Sequence, residues 1–218
     1  MAGRLHHYEG RDIAVTYELK RCVHAAECIA RAPEAFDSTA MPWIQPDGEP
    51  ADEVAQAVAR CPTGALHFTR KDGGDAEVAD TVNSISPARN GPLYVRGSLR
   101  LVAEDGSEIL RDTRVALCRC GASRNKPFCD NSHNAARFKA SGGVDENWMA
   151  RDAQAAQEAT LTIRLMNDGP LEARGPMEII DEAGASVCTG SSAELCRCGQ
   201  SNAKPFCDST HQLVEFKS

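Results

Sequence analysis

Four potential metal ligands recur at one spacing in two places along this 218-residue chain, and this pattern restricts the fold more than any other feature. The spacing is Cys-x-Cys-x8-Cys-x3-His. The first set is Cys118, Cys120, Cys129 and His133, and the second, 78 residues later, is Cys196, Cys198, Cys207 and His211. Each set requires a loop that returns to its own start, so that the third cysteine and the histidine lie beside the first two cysteines.

The repeat extends beyond the ligands. Gly91-Pro92-Leu93 returns as Gly169-Pro170-Leu171, and Lys126-Pro127-Phe128-Cys129-Asp130 returns as Lys204-Pro205-Phe206-Cys207-Asp208, with the same offset. A constant offset without a gap indicates a duplicated module. We therefore expect two similar small units that pack against each other as an intramolecular pseudo-dimer.

Each repeat predicts a small antiparallel β unit. In the first, Leu93–Val102 is rich in Leu, Tyr and Val, and Ile109–Leu117 can return beside it after a turn at Gly106. In the second, the segments 177–180 and 186–195 flank a similar glycine turn. The ligands follow the second strand of each unit, so we expect them on a loop.

The N-terminal part of the chain has a different pattern. Ile13–Leu19 alternates between apolar and polar residues and predicts a strand, and Ala65–Thr69 predicts another. Helices are expected over Val23–Ala32, which ends before a proline, and over Asp52–Arg60, with Asp52 as its cap. The predicted order is β-α-α-β, with cysteines near the first helix and after the second.

These elements predict an α+β fold in three parts. A ferredoxin-like domain is expected over residues 1–74, and two antiparallel-β modules over 75–150 and 151–218. Lys71–Asp75, which contains two glycines, is the expected linker after the first part. The Ala- and Gln-rich run 150–159 is expected to be helical and to connect the two modules.

Composition limits the partners of the chain. It has 31 acidic and 24 basic residues, a net charge of −7, and an acidic chain repels the phosphate backbone of nucleic acids. No apolar run approaches the roughly 18–20 residues that span a bilayer, and Met1–Gly10 lacks the apolar core of a signal peptide. We therefore expect a cytoplasmic protein without nucleic-acid or membrane partners, and a monomer with an internal pseudo-dimer.

Ten cysteines in the reducing cytoplasm favour metal ligation over disulfides. Thiolates are soft ligands that suit iron–sulfur clusters and zinc. Two cysteines one residue apart can hold one ion, and a cysteine and a histidine four residues apart can hold a second. Such a set fills the four terminal ligand positions of a 2Fe–2S cluster, two on each iron. A single zinc ion bound by three cysteines and one histidine is the alternative.

Both ligand sets resemble the CDGSH (mitoNEET-type) iron–sulfur domain, whose pattern is Cys-x-Cys-x2-Ser-x3-Pro-x-Cys-Asp-Gly-Ser-His. Besides the ligands, the matching positions are Ser123, Pro127, Asp130 and Ser132 in the first copy and Ser201, Pro205, Asp208 and Thr210 in the second. The resemblance implies a 2Fe–2S cluster held by three cysteines and one histidine in each copy, in a β-cap fold. The glycine of the pattern is Asn131 here, and Ser209 in the second copy. If that position needs a positive φ, asparagine adopts it more readily than serine.

The histidine ligand is expected to make each site sensitive to protons. A neutral imidazole in place of a thiolate makes a cluster less negative and raises its reduction potential. Imidazole also protonates near neutral pH when the metal does not hold it. We therefore expect each cluster to carry one electron, coupled to protonation at His133 or His211, and to become labile in acid.

Six further side chains are expected to bind or tune the clusters: Arg119, Ser123, Lys126, Arg197, Ser201 and Lys204. The lysines could hydrogen-bond near the cluster, or could be solvated surface residues. The arginines, placed between two ligating cysteines, would offset the charge of the cluster. The serines could donate to a cluster sulfur, or could make a hydrogen bond within the loop.

Cys22, Cys28 and Cys61 indicate a third site. Bacterial ferredoxins have a Cys-x2-Cys-x2-Cys run and a distant Cys-Pro, and here the middle position is Ala25. Residues 10–70 resemble a divergent single-cluster ferredoxin domain. The matching segments are Cys22 to Cys28, Pro33-Glu34-Ala35-Phe36, Pro42-Trp43-Ile44 and Cys61-Pro62-Thr63-Gly64-Ala65-Leu66. Three thiolates suit a 3Fe–4S cluster. A 4Fe–4S cluster with water or His24 as fourth ligand, and an absent or incompletely loaded cluster, are the alternatives.

The sequence thus predicts a multi-cluster iron–sulfur protein that transfers electrons to or from a protein redox partner. Storage of clusters and their delivery to an apo-protein acceptor is the alternative. An enzyme is not expected, because the chain shows no nucleophile–base arrangement, phosphate loop or nicotinamide-binding fingerprint. Cys188, whose repeat partner is Leu110, is expected to be a core residue.

Overall fold

The computed structural model describes residues 4–144 and 160–218. The chain divides into two units, Met1–Val78 and Ala79–Ser218, and both repeats lie in the second. Within these described ranges strands dominate and helices are few and short, so the fold is of the mixed α+β class. The expected boundary between residues 150 and 151 and the expected helical run 150–159 lie outside the described residues.

Unit 1 is built on an antiparallel sheet in which the strand order is β1-β2-β3. The strands are β1 (Leu5–Glu9), β2 (Ile13–Glu18) and β3 (Leu66–Arg70). Apolar residues alternate along β2, and every second side chain is buried against the helices. The strands expected over 13–19 and 65–69 are confirmed as β2 and β3, whereas β1 is not predicted by the sequence pattern.

Two short α-helices cover the inner face of this sheet. They are α1 (Glu27–Arg31) and α2 (Ala51–Ala59), and single 3-10 turns form at Leu19–Arg21 and Pro46–Gly48. Helix α2 is amphipathic because its buried residues, at positions 54, 57 and 58, recur at helical spacing. The helices and the sheet enclose the core of unit 1.

The first helix is shorter than the sequence predicts. The expectation of a helix over Val23–Ala32 is wrong for residues 23–26, which form a loop, and α1 begins at Glu27. The φ angles of His24 and Ala26 are 54° and 61°. A right-handed helix cannot contain residues in this left-handed region. The loop conformation therefore prevails over the helix propensity of the alanines.

The expectation that Asp52 caps α2 is also wrong. Pro50 precedes the helix, and Asp52 lies within its first turn. The Asp52 carboxylate instead accepts a hydrogen bond from Arg70 Nη1 at 2.6 Å. This ion pair joins the start of α2 to the end of β3, so it ties the helix to the sheet.

Unit 2 is a sheet of six described strands, three from each repeat. Repeat 1 supplies β4 (Ser84–Pro87), β5 (Leu93–Ala103) and β6 (Glu108–Leu117), and repeat 2 supplies β7 (Leu161–Leu165), β8 (Leu171–Ile180) and β9 (Ser186–Leu195). The expected antiparallel hairpins are confirmed as β5–β6 and β8–β9. Strand β8 begins earlier than expected, and β4 and β7 are not predicted by the sequence pattern.

The two repeats are joined in this sheet by reciprocal strand pairing. Strand β4 pairs antiparallel with β5 of its own repeat and parallel with β8 of the other. Strand β7 pairs antiparallel with β8 of its own repeat and parallel with β5 of the other. Register shifts after Arg96 in β5 and after Arg174 in β8 lie where each long strand changes its neighbour. Both repeats therefore contribute to one sheet and one core.

The core of unit 2 fixes the positions of the ligand loops. Branched apolar residues from both repeats, such as Leu101, Ile163 and Ile179, are fully buried in it. Cys188 lies in the same cluster, which confirms its expected role as a core residue. Phe206, from the second ligand loop, is also part of this core. Among the residues described, no helix has the length and apolar character needed to cross a bilayer.

Candidate metal centres

Each ligand loop begins where a long strand ends and returns to the end of that strand. In the first loop the N–H of Cys118 donates to the carbonyl of Pro127 at 2.8 Å, and the N–H of Cys129 donates to the carbonyl of Ala116 at 2.9 Å. Phe128 packs against the core beneath the loop. These contacts bring Cys129 next to Cys118, although eleven positions separate them in the sequence.

The second loop closes in the same way. The N–H of Cys196 donates to the carbonyl of Pro205 at 2.8 Å, and the N–H of Cys207 donates to the carbonyl of Glu194 at 2.8 Å. A short helix follows each third cysteine: α3 (Ser132–Ala135) and α4 (Thr210–Leu213). Each helix carries the histidine of its set.

In both loops the four donors form two pairs, each with the separation of two ligands on one ion. Cys118 Sγ lies 3.7 Å from Cys120 Sγ, and Cys129 Sγ lies 3.5 Å from His133 Nδ1. The corresponding distances in the second loop are 3.7 and 3.3 Å. A tetrahedral ion about 2.3 Å from sulfur and about 2.0 Å from nitrogen separates two sulfurs by about 3.8 Å and sulfur from nitrogen by about 3.5 Å. Each pair therefore has the separation of two ligands on one metal ion, and the potential donors of each loop are three thiolates and one imidazole Nδ1.

Backbone N–H groups point at the ligand sulfurs. The N–H groups of Ala122 and Asn131 lie 3.4 and 3.5 Å from the sulfur two residues before each of them. Gln200 and Ser209 make the same contact at 3.4 Å in the second loop. Hydrogen bonds of this kind stabilise thiolates and influence the reduction potential of a bound cluster. The loops are thus shaped for negatively charged sulfur.

The ionisable ligands have perturbed pKa values. Burial raises the pKa of Cys129 to about 11. A hydrogen bond with Cys120, supported by backbone N–H groups, lowers the pKa of Cys118 to about 6. Burial lowers the pKa of His133. A metal ion needs deprotonated thiols and a neutral imidazole, so Cys118 and His133 are the ligands of this loop that are nearest to their binding form at neutral pH.

The position that is glycine in the CDGSH pattern has a left-handed backbone in both loops. Asn131 has a φ of 68° and Ser209 a φ of 66°. Both residues carry a Cβ atom, but asparagine is several-fold enriched in this region because its amide can hydrogen-bond to the local backbone, and serine lacks that amide. The second loop therefore contains the more strained residue of the two.

Ser209→Gly is expected to stabilise unit 2. Removal of the Cβ atom relieves the left-handed strain, and we expect the free energy of unfolding to rise by about 1 kcal/mol, with a melting temperature higher by about 3 °C. The matched control is Asn131→Gly, for which we expect less than half of this increase. Thermal unfolding of the cluster-loaded chain measures both. Equal increases would show that serine is not strained at this position.

Asp130 and Asp208 hold the two ends of each loop together. Asp130 Oδ2 accepts from the N–H of Arg124 at 2.8 Å, and its Oδ1 accepts from the N–H of Ser132 at 3.0 Å. Asp208 makes the equivalent bonds at 2.8 and 3.0 Å. The sequence pattern places the start of a helical turn at these two aspartates, and the turns begin two residues later, at Ser132 and Thr210. The signal for their role in closing the loop is an aspartate two residues before a helical turn, where its carboxylate can cap free N–H groups.

Arg119 is buried and donates to three main-chain carbonyls. Its Nε donates to Gly91 at 3.0 Å, its Nη1 to Ser141 at 3.1 Å, and its Nη2 to Ala88. The guanidinium also lies 5.4 Å from the centre of the Phe138 ring. The arginine therefore joins the segment before β5 to the segment that follows the ligand loop.

Arg197 makes the equivalent contacts in the second repeat. Its Nε donates to the carbonyl of Gly169 at 3.1 Å and its Nη2 to that of Met166. The guanidinium lies 5.5 Å from the centre of the Phe216 ring. The sequence suggested that both arginines offset the charge of a cluster, but their hydrogen bonds are directed at carbonyls.

The remaining expected tuning residues bond within their own loops. Ser123 Oγ donates to the carbonyl of Phe128 at 2.7 Å, and Ser201 Oγ donates to that of Phe206 at 2.7 Å. These are the loop hydrogen bonds that formed the alternative interpretation of the serines. Lys126 Nζ donates to the carbonyl of Ser123 at 2.9 Å, and Lys204 Nζ donates to that of Ser201. The lysines thus brace the loops through backbone carbonyls.

The three cysteines of unit 1 line a single cavity. Cys22, Cys28 and Cys61 surround it together with Tyr17, and Ala25, at the position of the middle ferredoxin cysteine, also lines it. Burial raises the pKa of Cys28 to about 11, and the neighbouring charge of Cys61 adds to this rise. The thiols are therefore close enough to influence one another, as ligands of one cluster must be.

The walls of this cavity are supported by hydrogen bonds. The N–H of His24 lies 3.4 Å from Cys22 Sγ. Thr63 Oγ1 lies 3.5 Å from Cys61 Sγ, and Arg21 Nη2 donates to the carbonyl of Thr63 at 2.6 Å. Arg21 is buried. No role is predicted from the sequence for Arg21 or for Thr63, which appears there only within a matching segment, because neither residue stands at ligand spacing.

The described residues form two copies of a loop with three cysteines and one histidine, and one cavity lined by three cysteines. Residues 90–134 and 168–212 each match the family described as iron-binding zinc finger CDGSH type, and residues 8–71 match the family described as divergent 4Fe-4S mono-cluster. No curated protein matches the chain significantly. The chain therefore combines two CDGSH-type iron-binding modules with an N-terminal divergent mono-cluster domain, and it is an iron–sulfur protein.

Proposed function

We propose that this chain transfers electrons through one 2Fe–2S cluster in each CDGSH module and a further cluster in unit 1. The observation that carries the proposal is the arrangement of the donors as two one-ion pairs, with S···S separations of 3.7 Å and S···N separations of 3.3–3.5 Å. A 2Fe–2S cluster needs two such pairs, one for each iron. A single zinc ion would instead need all four donors at tetrahedral distances from one point.

The bound clusters would each supply a site for one electron. The chain contributes a proton site next to it, because His133 and His211 present Nδ1 to the sulfur of their set. The opposite ring nitrogen, Nε2, carries the proton of the neutral imidazole, and it would release that proton when the cluster is oxidised and regain it when the cluster is reduced. The hydrogen bonds from backbone N–H groups to sulfur favour the charged form of each thiolate. Electron transfer at these sites is therefore expected to depend on pH.

For unit 1 we propose a cluster held by Cys22, Cys28 and Cys61. Three thiolates lining one cavity suit a 3Fe–4S cluster, in which each iron takes one. The family description of this segment names a 4Fe–4S cluster, which would need a fourth ligand such as water or His24. An EPR spectrum of the oxidised chain distinguishes the two, because an oxidised 3Fe–4S centre is paramagnetic.

We further propose that the two modules form an intramolecular pseudo-dimer of the β-cap kind. The reciprocal pairing of β4 with β8 and of β7 with β5 supports this. We also propose a cytoplasmic monomer that exchanges electrons with a protein redox partner and has no catalytic reaction of its own. The net charge of −7 favours a partner with a basic docking face.

Delivery of clusters to an apo-protein acceptor is the second candidate function. Cys207 and His211, which form one ligand pair, are both partly exposed, so an acceptor thiol can approach them. An imidazole ligand also leaves a metal more easily than a thiolate ligand does, because protonation of the imidazole removes the lone pair that binds the metal. The partial exposure of both Cys207 and His211 favours delivery from the second module in particular.

Metal analysis and a transfer assay test the proposed function. Anaerobically prepared chain is expected to contain about seven iron and about eight acid-labile sulfide when two 2Fe–2S clusters and one 3Fe–4S cluster are loaded, with little zinc. Its clusters should be reduced and reoxidised without loss. On mixing with an apo-ferredoxin at neutral pH, we expect the clusters to stay in place. Zinc without sulfide would overturn cluster binding, and cluster transfer without electron exchange would favour delivery.

A further inference from the structure

The two ligand loops of unit 2 meet at a pair of glycines. A Cβ atom on Gly121 would lie 2.5 Å from the carbonyl oxygen of Cys198, and a Cβ atom on Gly199 would lie 2.5 Å from that of Cys120. Cβ atoms essentially never approach a neighbour closer than 3.0 Å. A backbone oxygen cannot rotate away as the end of a side chain can. Each loop therefore forms part of the wall that positions a ligand cysteine of the other loop.

The arginine of each loop also interacts with the other loop. Burial disfavours the charge of Arg119, and Cys196 of the other loop and Cys120 of its own favour it. Arg197 has the same relation to Cys118 of the first loop. A cysteine that ligates metal is a thiolate and carries a negative charge. The arginine of each loop therefore lies within electrostatic range of a cysteine of the other loop.

The C-terminal aromatic ring adds a third connection. The Phe216 ring, in repeat 2, lies 5.5 Å from the guanidinium carbon of Arg197 and 5.8 Å from Nζ of Lys126, in repeat 1. Lys126 in turn donates to the carbonyl of Ser123 within the first ligand loop. One ring therefore contacts a cation from each loop, and one of these cations, Lys126, is bonded to the backbone of the first ligand loop.

We propose that the two cluster sites of unit 2 are coupled binding sites, in which ligation at one orders the wall of the other. The inference rests on the proposed binding of one cluster in each repeat. The contacts between the loops have to be ordered only once, and the cluster that binds first bears the entropic cost of ordering them. The cluster that binds next is therefore held more tightly, whichever repeat it occupies. The coupling is reciprocal: each cluster is released more slowly while the other is in place.

Removal of one cluster should therefore shorten the lifetime of the other. Cys207→Ala together with His211→Ala empties the second site at residues that do not touch the glycine contact. We expect the remaining His-ligated cluster to be lost to an iron chelator about five times faster than in the unaltered chain, since typical couplings begin near this value. The loss is followed by the reduced-state EPR signal of the 2Fe–2S cluster. The reciprocal pair Cys129→Ala and His133→Ala tests the second cluster in the same way.

Gly199→Ala should remove this dependence. The added Cβ atom displaces the wall between the loops, so the lifetime of the first cluster should become short whether or not the second site is filled. The matched control is Gly184→Ala in the same repeat, where φ is also positive (84°) and no atom lies within 4 Å of the new Cβ. In the control chain the fivefold dependence should persist. Far-UV circular dichroism establishes that each variant keeps its strands.

The possible results distinguish a failure of the coupling between the two sites from a failure of the proposed cluster binding. If the first cluster is lost at one rate with and without the second, in folded variants of both reciprocal pairs, the sites are independent and the inference is wrong. If Gly184→Ala abolishes the dependence as fully as Gly199→Ala, the glycine contact is not its cause. If the unaltered chain holds no iron and sulfide in either repeat, the proposed function fails instead.

Discussion

Replacement of both His133 and His211 by cysteine is expected to let the chain keep its 2Fe–2S clusters at an acidic pH at which the unaltered chain loses them. Iron can be bound only by the neutral imidazole, so a proton competes with iron for Nδ1 as the pH falls. A thiolate is a charged and softer ligand, and iron holds it more firmly against protons. The stabilisation that the imidazole contributes is therefore present at neutral pH and is lost in acid.

The direction of the His133 pKa sharpens this expectation. Burial lowers the pKa of His133, so the folded protein keeps this imidazole neutral to a lower pH than an exposed histidine would allow. The unfolded chain binds its proton first, and the contribution of the group to stability falls as the pH decreases through this range. We expect the visible absorption of the clusters to bleach within this range in the unaltered chain and to persist in the double variant.

The same substitution should lower the reduction potential. Thiolate adds one negative charge to each cluster, and the range between all-cysteine and histidine-containing clusters suggests a decrease of roughly 100–300 mV. A redox titration followed by absorption measures it, and the slope of potential against pH should vanish with the imidazoles. His7→Gln, far along the sequence from both ligand sets, should leave potential and acid stability unchanged. If neither property differs in the double variant, the histidines are not the source of proton sensitivity.

The ligand sets and the strands next to them could be predicted because their signals are local. Each set lies within sixteen residues, and a hairpin with a glycine turn precedes it. The constant offset of 78 residues then places every feature of one repeat in the other. A local pattern does not show which distant strands will pair. Strands β4 and β7 could not be predicted for this reason, because they are only four and five residues long and are defined by their pairing with the other repeat.

The loop of unit 1 shows a second limit of local reasoning. The alanine-rich segment between Cys22 and Cys28 has high helix propensity, yet His24 and Ala26 have positive φ angles. The three cysteines have to face one cavity. A helix over the segment between Cys22 and Cys28 would instead distribute its side chains outward around the helix axis. Tertiary demands therefore override propensity here.

Arg119 illustrates the third limit. Its position between two ligand cysteines suggests a role for its charge, and the acceptors of its hydrogen bonds are carbonyls 22 to 31 residues away in the sequence. Main-chain carbonyls have no sequence signature, because every residue carries one. Arg119 could act through its positive charge or through its hydrogen bonds to the three carbonyls. These two roles predict different results when lysine, which keeps the charge, replaces the arginine.

Arg119→Lys is expected to destabilise unit 2 almost as much as Arg119→Met. A lysine keeps the positive charge, but its ammonium group is a single point at the end of a flexible chain and cannot reach three carbonyls that surround a planar guanidinium. At least two charge-assisted hydrogen bonds would be lost and their buried acceptors left unpaired, for a decrease of about 3 kcal/mol in the free energy of unfolding. Denaturant unfolding of the loaded chain measures the decrease.

A charge-offsetting role predicts the opposite order. In that case Arg119→Lys would leave both stability and reduction potential close to those of the unaltered chain, and only Arg119→Met would lower the potential, because a positive charge near the cluster favours its reduced form. Arg124→Lys, a substitution of an exposed arginine in the same loop, controls for the exchange of side chain alone and should change stability by less than about 0.5 kcal/mol. Because the guanidinium of Arg119 spans carbonyls on both sides of the ligand loop, we expect lysine to fail, and the cluster to be lost earlier in denaturant in both variants.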